Sequence, residues 1–239
     1  MSTVMVSERG AFELACEEDL VPSMYYDQAG VETFGIGHTN AAGAPFVGSL
    51  PQSTPPAGVD RRNAVIRAWQ IFLNDLDKYT DAVIAVLGTG LEQHELDGWV
   101  KWHFNTGGIR QTSAVKKWKA GDKAGAVRIL KQWNKITVKG KKKVSKGLVS
   151  RRVKEADMIL NGLYPNGTLE VYGVNAKNQV IWKPLASYNF KQWAEYTIFG
   201  DVKPRIGAAP AVAYGGGAVG IGALIVAFWD NIAGLLGWG

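Results

Sequence analysis

The chain has 239 residues, of which 46% are hydrophobic and 20% are charged, and its formal net charge is +6. This composition excludes wholesale disorder, because so large an apolar fraction can bury a core. The single cysteine, Cys16, excludes an internal disulfide, and the first residues carry no apolar stretch typical of a secretory signal peptide.

The first 39 residues predict a helix, a turn and short strands. Ser7 is suited to cap the helix, and Pro22 should end or bend it, which leaves Glu18 near the C-terminus of the helix. The segment Asp27–Gly30 has the composition of a turn, and residues 31–36 favour a strand with glycine bends. Residues 40–60 are rich in Ala, Gly, Pro and Ser and predict an irregular connection.

Helices are predicted from Asp60 to about Leu160. Asp60 can cap a long helix with one apolar face. A second helix fits residues 92–104, and the glycines within 105–108 supply the left-handed geometry that ends a helix. Three shorter helices, joined by Gly-containing turns, are predicted over Ser113–Trp118, Lys123–Trp133 and Val149–Leu160.

The composition changes after Tyr164. Residues 168–172 and 179–182, separated by a polar turn at 175–178, predict a hairpin that should pack on the helical part. Residues 206–229 carry no charge and are long enough to cross a hydrocarbon layer of about 30 Å. Their many glycines and alanines leave three interpretations: a membrane-interacting segment, a segment folded against the domain, or a flexible extension.

A strongly basic stretch runs from Lys116 to Lys154, with 15 Lys and Arg residues against one acid, Asp122. Such a stretch favours an anionic partner: nucleic acid, anionic lipid or an anionic wall polymer. The plainer interpretation is a solvated helical surface. We favour the wall polymer or lipid, because the stretch contains no recognised nucleic-acid-binding motif.

Glu18, Asp27 and Thr33 form the candidate catalytic set, with the spacing Glu-x8-Asp-x5-Thr. Glycoside hydrolysis needs two carboxyl groups: one protonates the leaving oxygen, and the other manages water or the developing positive charge. Glu18 lies among aromatic and apolar residues, which suits a general acid, whereas Asp27 lies in a polar turn and should stay ionised. The hydroxyl of Thr33 can hold a water for Asp27.

Each of these residues also has an ordinary structural interpretation: a surface glutamate, a turn aspartate and a strand threonine. Glu17 is a rival for the acid role, although only Glu18 keeps the spacing. A nucleophilic pair of Cys16 and His38 is the weaker chemical alternative. The three histidines show no metal-ligand spacing, so we expect no metal and no cofactor.

Several motifs resemble those of phage-type lysozymes of glycoside hydrolase family 24, which includes the T-even phage lysozyme and lambdoid-phage endolysins. The residues of the first motif are Glu18, Tyr25-Tyr-Asp27, Gly30, Thr33 and Gly35-Ile-Gly37-His38-Thr39. Two later segments are similar to further family motifs: Gln93–Asp97 with Phe104–Gly107, and Lys146–Leu148 with Arg151, Arg152 and Glu155. The resemblance spans roughly residues 5–160. One departure is Asp19, where the family has glycine.

The resemblance implies an α+β fold, a mainly α-helical lysozyme-like domain with a small β element beside the active-site cleft. We expect this catalytic domain over residues 1–163, an accessory hairpin region over 164–200 and an apolar, Gly/Ala-rich tail over 201–239. It also implies roles for individual residues. Glu18 would be the general acid, Asp27 and Thr33 would handle water or the cationic intermediate, and Asn105, His38 and Tyr25 would bind substrate.

The implied function is hydrolysis of the β-1,4 bond between N-acetylmuramic acid and N-acetylglucosamine in peptidoglycan by a phage endolysin or virion-associated lysin. The alternative is a membrane-active or wall-binding protein on an inactive lysozyme scaffold. We expect a monomer, made in the host cytoplasm and acting on the cell wall, with no nucleic-acid partner. The basic 116–154 surface and the 206–239 tail predict contact with anionic inner-membrane or outer-membrane lipid.

Overall fold

The computed structural model describes residues 5–27, 29–138 and 140–198. The predicted apolar tail, including the 206–229 segment, lies outside the described residues. Within them the chain forms two compact units. Residues 11–77 and 166–198 form the sheet unit, and residues 5–10 and 78–165 form the helical unit.

Helices and short strands alternate along the chain, and the predicted α+β class is confirmed. In chain order the elements are α1 (Glu8–Ala15), β1 (Val21–Tyr26), β2 (Glu32–Gly35), β3 (His38–Thr39), α2 (Val59–Leu87), α3 (Gln93–Thr106), α4 (Ala114–Lys119), α5 (Lys123–Leu130), β4 (Lys135–Val138), β5 (Lys141–Val144), α6 (Lys146–Asn161), β6 (Leu169–Val174), β7 (Val180–Tyr188) and α7 (Phe190–Ile198). Two single 3-10 turns, Asn40–Ala42 and Val47–Ser49, lie in the irregular connection before α2.

The sheet unit is built around the antiparallel sheet β1–β2–β3. Tyr25 on β1 lies opposite Thr33 on β2, and Phe34 lies opposite His38 on β3. Phe34 and His38 are both buried on one face, and Tyr25 and Thr33 are buried on the other, so the sheet is covered on both faces. The predicted strands on either side of the Asp27–Gly30 turn are therefore confirmed.

The predicted C-terminal hairpin is also confirmed, as the antiparallel pair β6–β7. It joins the segment between α1 and β1 through a parallel bridge of Leu20 with Val171. The backbone N–H of Leu20 donates to Glu170 at 3.0 Å, and that of Tyr172 donates to Leu20 at 2.8 Å. The hairpin connection is anchored as well, since the Gly167 N–H donates to the carboxylate of Glu13 at 3.0 Å.

Helix α7, which the sequence analysis did not predict, completes the core of the sheet unit. Trp193 is almost fully buried, and its ring centroid lies 5.0 Å from that of Trp69 and 6.4 Å from that of Phe12. Phe190 makes a further edge contact with Phe12 at 5.4 Å. Burying two large aromatic rings stabilises a helix too short to persist alone in water.

The helical unit packs α3 against α6. The second predicted helix is confirmed, with a capping box between Glu92 and Glu95 at its start and the left-handed Gly107, φ 63°, at its end. Gly98 allows α6 to approach closely, because a Cβ at this position would lie 2.5 Å from Ile159. None of the described helices combines the length and apolar character that a bilayer crossing requires.

Two predictions about the helical region are wrong in detail. Asp60 does not cap α2, because the helix already begins at Val59 and places Asp60 in its first turn. The segment between α5 and α6 is not a simple turn but the antiparallel hairpin β4–β5. The β-branched residues Ile136, Thr137 and Val138 explain the strand, since such side chains favour a pleated backbone over a helix.

Candidate active site

Glu18 lies in a turn just beyond α1. Helix α1 ends at Ala15, and the amide of Glu18 donates to the carbonyl of Ala15 at 3.0 Å. The side chain of Glu18 is buried, with 7% of its surface exposed, whereas Glu17 is more exposed. The turn thus separates the two rival acids: Glu18 is directed into the unit, and Glu17 is left nearer to solvent.

Asp19 takes a left-handed backbone conformation, with φ of 59°. This conformation favours glycine, because a Cβ crowds the carbonyl that follows it. The backbone conformation at this position therefore explains the glycine of the phage-type lysozymes. Asp19 adopts the same conformation with some backbone strain. Burial, together with the charges of Glu18, Glu170 and Glu17, raises the pKa of Asp19 to about 7. A third carboxyl is thus held among like charges at this turn.

Asp27 organises the turn between β1 and β2. Its Oδ1 accepts hydrogen bonds from the amides of Ala29 and Val31, both at 2.8 Å, and its own amide donates to the Val31 carbonyl at 3.0 Å. The structural interpretation of Asp27 as a turn residue is therefore correct for this oxygen. The same bonds hold the carboxylate in one orientation, and any chemistry falls to Oδ2.

Thr33 is fully buried on β2, and its hydroxyl donates to the carbonyl of Val31 at 3.1 Å. Val31 thus connects the two predicted partners: its amide binds Asp27 and its carbonyl accepts from Thr33. The Thr33 proton is thus used internally, and its oxygen keeps the capacity to accept a hydrogen bond.

Tyr25 relates the two candidate carboxylates to each other. Its ring is buried, and burial, followed by the charges of Glu18, Asp27 and Asp19, raises the pKa of its hydroxyl well above the usual value. The field of Glu18 and the field of Asp27 therefore both reach this one side chain. The structure brings Glu18, Tyr25, Asp27 and Thr33 into one part of the sheet unit.

His38 occupies a closed position in the same unit. Only 1% of its surface is exposed, and Nδ1 lies 2.8 Å from Oδ2 of Asp75 while Nε2 lies 2.8 Å from the Pro45 carbonyl. Two oxygen acceptors facing both ring nitrogens suit an imidazolium that donates twice. These contacts leave neither nitrogen to Cys16, so the nucleophilic pair of the sequence analysis gains no support.

Asn105 is buried in the helical unit, in the last turn of α3. Its Oδ1 accepts from Nη2 of Arg152 at 2.6 Å, and the same nitrogen lies 2.8 Å from Oε1 of Glu155. Nε of Arg151 lies 3.5 Å from the same carboxylate oxygen, and all three charged side chains are at most 2% exposed. The Arg-Arg-x-x-Glu motif thus forms a buried ion-pair cluster, a role that the sequence alone did not indicate. Its spacing on one helix was the available signal.

Metal ligation has no support within residues 5–27, 29–138 and 140–198, where no group of three or more His, Cys, Asp or Glu side chains could hold an ion. The arrangement offers carboxyl chemistry instead. It has one buried acid, one oriented carboxylate and one buried hydroxyl whose oxygen can accept a hydrogen bond, which are groups that acid-catalysed hydrolysis uses.

Comparison with known proteins gives concordant matches. The sequence model of the phage lysozyme family matches residues 15–155. A SAR-endolysin of Pseudomonas phage phiKMV is 31% identical over 95 residues, which cover 39% of this chain and 59% of that protein. This chain therefore spans about three-fifths of the length of that curated relative.

Two solved structures have a similar fold. An endolysin from Escherichia coli O157:H7 phage FAHEc1 has a TM-score of 0.57 and 31% identity, and the match covers 67% of this chain and 96% of that one. The muramidase domain of SpmX from Asticaccaulis excentricus has a TM-score of 0.55 and 21% identity, covering 66% of this chain and 99% of that one. The second likeness concerns the fold alone.

Proposed function

This chain belongs to the phage lysozyme family, and from that membership we infer that it is a peptidoglycan-degrading muramidase, the endolysin of a phage. The family match includes Glu18, Asp27 and Thr33. The observation that carries the proposal is the burial of Glu18 in the same unit as a turn that fixes Asp27 and Thr33 through Val31. Its site of action is the cell wall.

In the proposed reaction Glu18 donates its proton to the oxygen of the β-1,4 bond between N-acetylmuramic acid and N-acetylglucosamine. Positive charge then develops on the muramic acid ring. Oδ2 of Asp27 stabilises this charge or accepts a proton from the attacking water, while Oγ1 of Thr33 accepts that water's other hydrogen bond. Two acceptors at a fixed separation orient the water without taking part covalently.

Tyr25, Asn105 and His38 have supporting roles in this proposal. Tyr25 is buried and lies within the fields of both carboxylates, which supports a place for it beside the reacting bond. Substrate contact by His38 and Asn105 stays a prediction. Their burial and their bonds to Asp75 and Arg152 support a positioning role, in which each holds its own element in shape.

Replacing the acid tests the proposal. Glu18→Gln should lower the rate of clearing of purified peptidoglycan by about 10²–10⁴-fold, the usual contribution of a general acid, while circular dichroism stays unchanged. Glu17→Gln is the matched control and should clear at close to the wild-type rate. Mass analysis of the fragments should find muramic acid reducing ends. Clearing by Glu18→Gln at the wild-type rate would contradict the proposal. Anhydromuramic acid ends on the fragments would show that the enzyme is a lytic transglycosylase and not a hydrolase.

A second activity is favoured by the basic surface of residues 116–154. On the hairpin β4–β5 the side chains of Lys135 and Lys141–Lys143 are exposed, as are those of Lys116, Lys117 and Lys119 on or next to α4. We propose that this surface binds anionic lipid or anionic wall polymer, because clustered exposed lysines attract a polyanion.

Matched double variants test this surface. Lys142→Ser with Lys143→Ser should weaken binding to vesicles of three parts phosphatidylcholine and one part phosphatidylglycerol by about 10-fold at low salt. The control removes the same charge elsewhere, with Lys177→Ser and Lys191→Ser, and should change binding less than 2-fold. Equal losses in the two variants would show an effect of net charge alone.

Inner-membrane association through the 206–239 tail is a further proposal. A truncation near residue 165 would remove the hairpin β6–β7, whose strand β6 bonds to Leu20, so the informative truncation ends after residue 198. The shortened chain should still digest purified peptidoglycan. It should no longer bind to bilayers that bind the full-length chain. Undiminished vesicle binding by the shortened chain would remove the proposal for the tail.

A further inference from the structure

The hairpin β6–β7 carries a large irregularity. Val171 pairs with Ala186 and Gly173 pairs with Ile181, so the four residues 182–185 of β7 lie opposite the single residue Tyr172 of β6. Bulges turn side chains out of the regular pleat and are frequent beside active sites. Pro184 lies within this bulge, where a residue without an N–H removes no bond of the ladder. We call residues 182–185 the β7 bulge.

The β7 bulge is anchored at both ends. The ring of Trp182 makes an edge contact with Tyr172, with the ring centroids 5.2 Å apart. At the other end Leu185 covers Gly173, where an added Cβ would lie 3.2 Å from Cδ1 of Leu185. Val174, the next residue of β6, donates its amide to the hydroxyl of Thr54 at 2.7 Å. These contacts hold the bulge in a defined shape rather than leaving it as a loose loop.

The hairpin is bonded to both ends of the candidate catalytic segment. Tyr172 donates to Leu20, which lies two residues after Glu18, and the amide of Tyr26 donates to the carbonyl of Asn178 at 3.0 Å, directly before Asp27. Residues 166–198 lie beyond the 15–155 range of the family match. The hairpin is therefore an addition to the family pattern, fixed to the segment that holds the proposed acid and its partner.

A row of aromatic side chains leads from the carboxylates onto the bulge. Tyr25 and Tyr172 belong to one buried cluster with Val174, against which Val180 packs. The ring of Trp182 contacts Tyr172 of this cluster, as described above for the bulge. Trp182 is 48% exposed, whereas Tyr25 and Tyr172 are buried. The row thus ends in a ring that is supported from below and accessible from outside, beside the exposed Lys183.

We propose that the β7 bulge is an accessory saccharide subsite, in which a sugar ring of the glycan strand stacks on Trp182 at a distance from the bond that is cut. This inference rests on the proposed function, because a glycan strand bound at Glu18 supplies the neighbouring sugars. The face of an indole ring is a large apolar surface, on which the apolar face of a sugar ring can stack. Lys183 carries the charge to attract the carboxylates of the peptides attached to muramic acid.

Binding measured without turnover tests the subsite. In full-length chains that also carry Glu18→Gln, Trp182→Ala should weaken co-sedimentation with purified peptidoglycan by about 5- to 20-fold. Trp182→Phe should restore most of the affinity. The matched control, Ile181→Ala, removes an equally exposed apolar side chain from the neighbouring position and should change affinity less than 2-fold. Equal losses in the two alanine variants, or no loss with Trp182→Ala, would overturn the proposal.

Two further measurements separate the alternatives. In the wild-type chain, the indole N–H resonance that Trp182→Phe removes should shift on titration with chitohexaose, and an unmoved resonance would overturn the subsite even if Trp182→Ala failed to fold. If Trp182→Ala lowers binding to phosphatidylglycerol vesicles and leaves peptidoglycan binding intact, the bulge is a lipid contact and the proposal fails. If the wild-type chain binds peptidoglycan through Trp182 but cleaves no bond in it, the subsite proposal is supported and only the muramidase proposal is contradicted.

Discussion

Two carboxylates, one in each unit of the molecule, lie in opposite electrostatic surroundings. In the sheet unit, burial and, after it, the neighbouring charges of Glu18, Glu170 and Glu17 raise the pKa of Asp19 to about 7. In the helical unit, Arg151 and Arg152 share the carboxylate of Glu155 within 3.5 Å. Like charges held together store free energy that chemistry can use, whereas opposite charges held together fix a conformation. The comparison separates the residues that should matter for activity from those that should matter for stability.

The largest effect should follow from breaking the pairing in the helical unit. Glu155→Gln removes the carboxylate that both arginines contact, so the unfolding free energy should fall by about 3–5 kcal/mol, as is usual for one partner of a buried ion pair. Urea denaturation measures this loss. Glu18→Gln is the counterpart in the sheet unit and should change stability by less than about 1 kcal/mol. Similar losses in both variants would abolish the distinction between the units.

Asp19→Asn should show, as a pH dependence, the cost of burying this carboxylate among like charges. In the unfolded chain Asp19 ionises near its ordinary value of 3.8, and in the folded chain it ionises only near 7. Folding therefore favours the protonated form: the stability that Asp19 contributes is complete below pH 3.8, and it is lost as the pH rises toward and through 7. The variant should be more stable than wild type by about 1–3 kcal/mol at pH 8 and nearly equal at pH 3.5. Denaturant titrations at both pH values would contradict this if the difference were constant.

Asp27 offers a finer test, because its two oxygens have different tasks. Asp27→Asn keeps an oxygen that can accept from Ala29 and Val31, so its stability should fall by less than about 0.5 kcal/mol, whereas Asp27→Ala should lose about 1–2 kcal/mol. Both variants should clear peptidoglycan poorly, because both lack the charge. Thermal unfolding measures the first difference and turbidity the second. If the Asp27→Asn variant were fully active, the role of Asp27 would be to form the turn, and it would have no part in catalysis.

The smallest effect is expected at the exposed basic hairpin. Lys142→Ser removes a surface charge from β5, and the unfolding free energy should change by less than about 0.5 kcal/mol. The same substitution should still reduce vesicle binding measurably at low salt. A loss of several kcal/mol would mean that the lysine side chain packs within the fold rather than facing a partner.

Local signals in the sequence were sufficient for much of the fold. Ser7 does cap α1, since its hydroxyl accepts from the Gly10 amide at 2.9 Å, and the glycines after Asn105 do end α3. The turn at Asn175 forms as expected, with its side chain accepting from the amide of Lys177 at 2.8 Å. Capping and turn formation involve residues a few positions apart, so spacing alone can reveal them.

Contacts between distant parts of the chain could not be predicted from the sequence. The bridge of Leu20 with Val171 and the bulge opposite Tyr172 depend on tertiary packing, which no short window of sequence contains. Helix α7 depends in the same way on the pocket that receives Trp193. At the site, spacing and resemblance identified Glu18, Asp27 and Thr33. They could not identify the backbone of Val31 as the connection between two of them, since any residue supplies that N–H and that carbonyl.

The bond between Glu13 and Gly167 spans 154 residues of chain. Closing so long a loop requires that most of the polypeptide already exists, and a chain made from its N-terminus supplies the partner strand late. The turn that carries Glu18 therefore reaches its bonded form only after β6 has left the ribosome. The part of the sheet unit that bonds to the segment around Glu18 is thus synthesised after all the described residues of the helical unit.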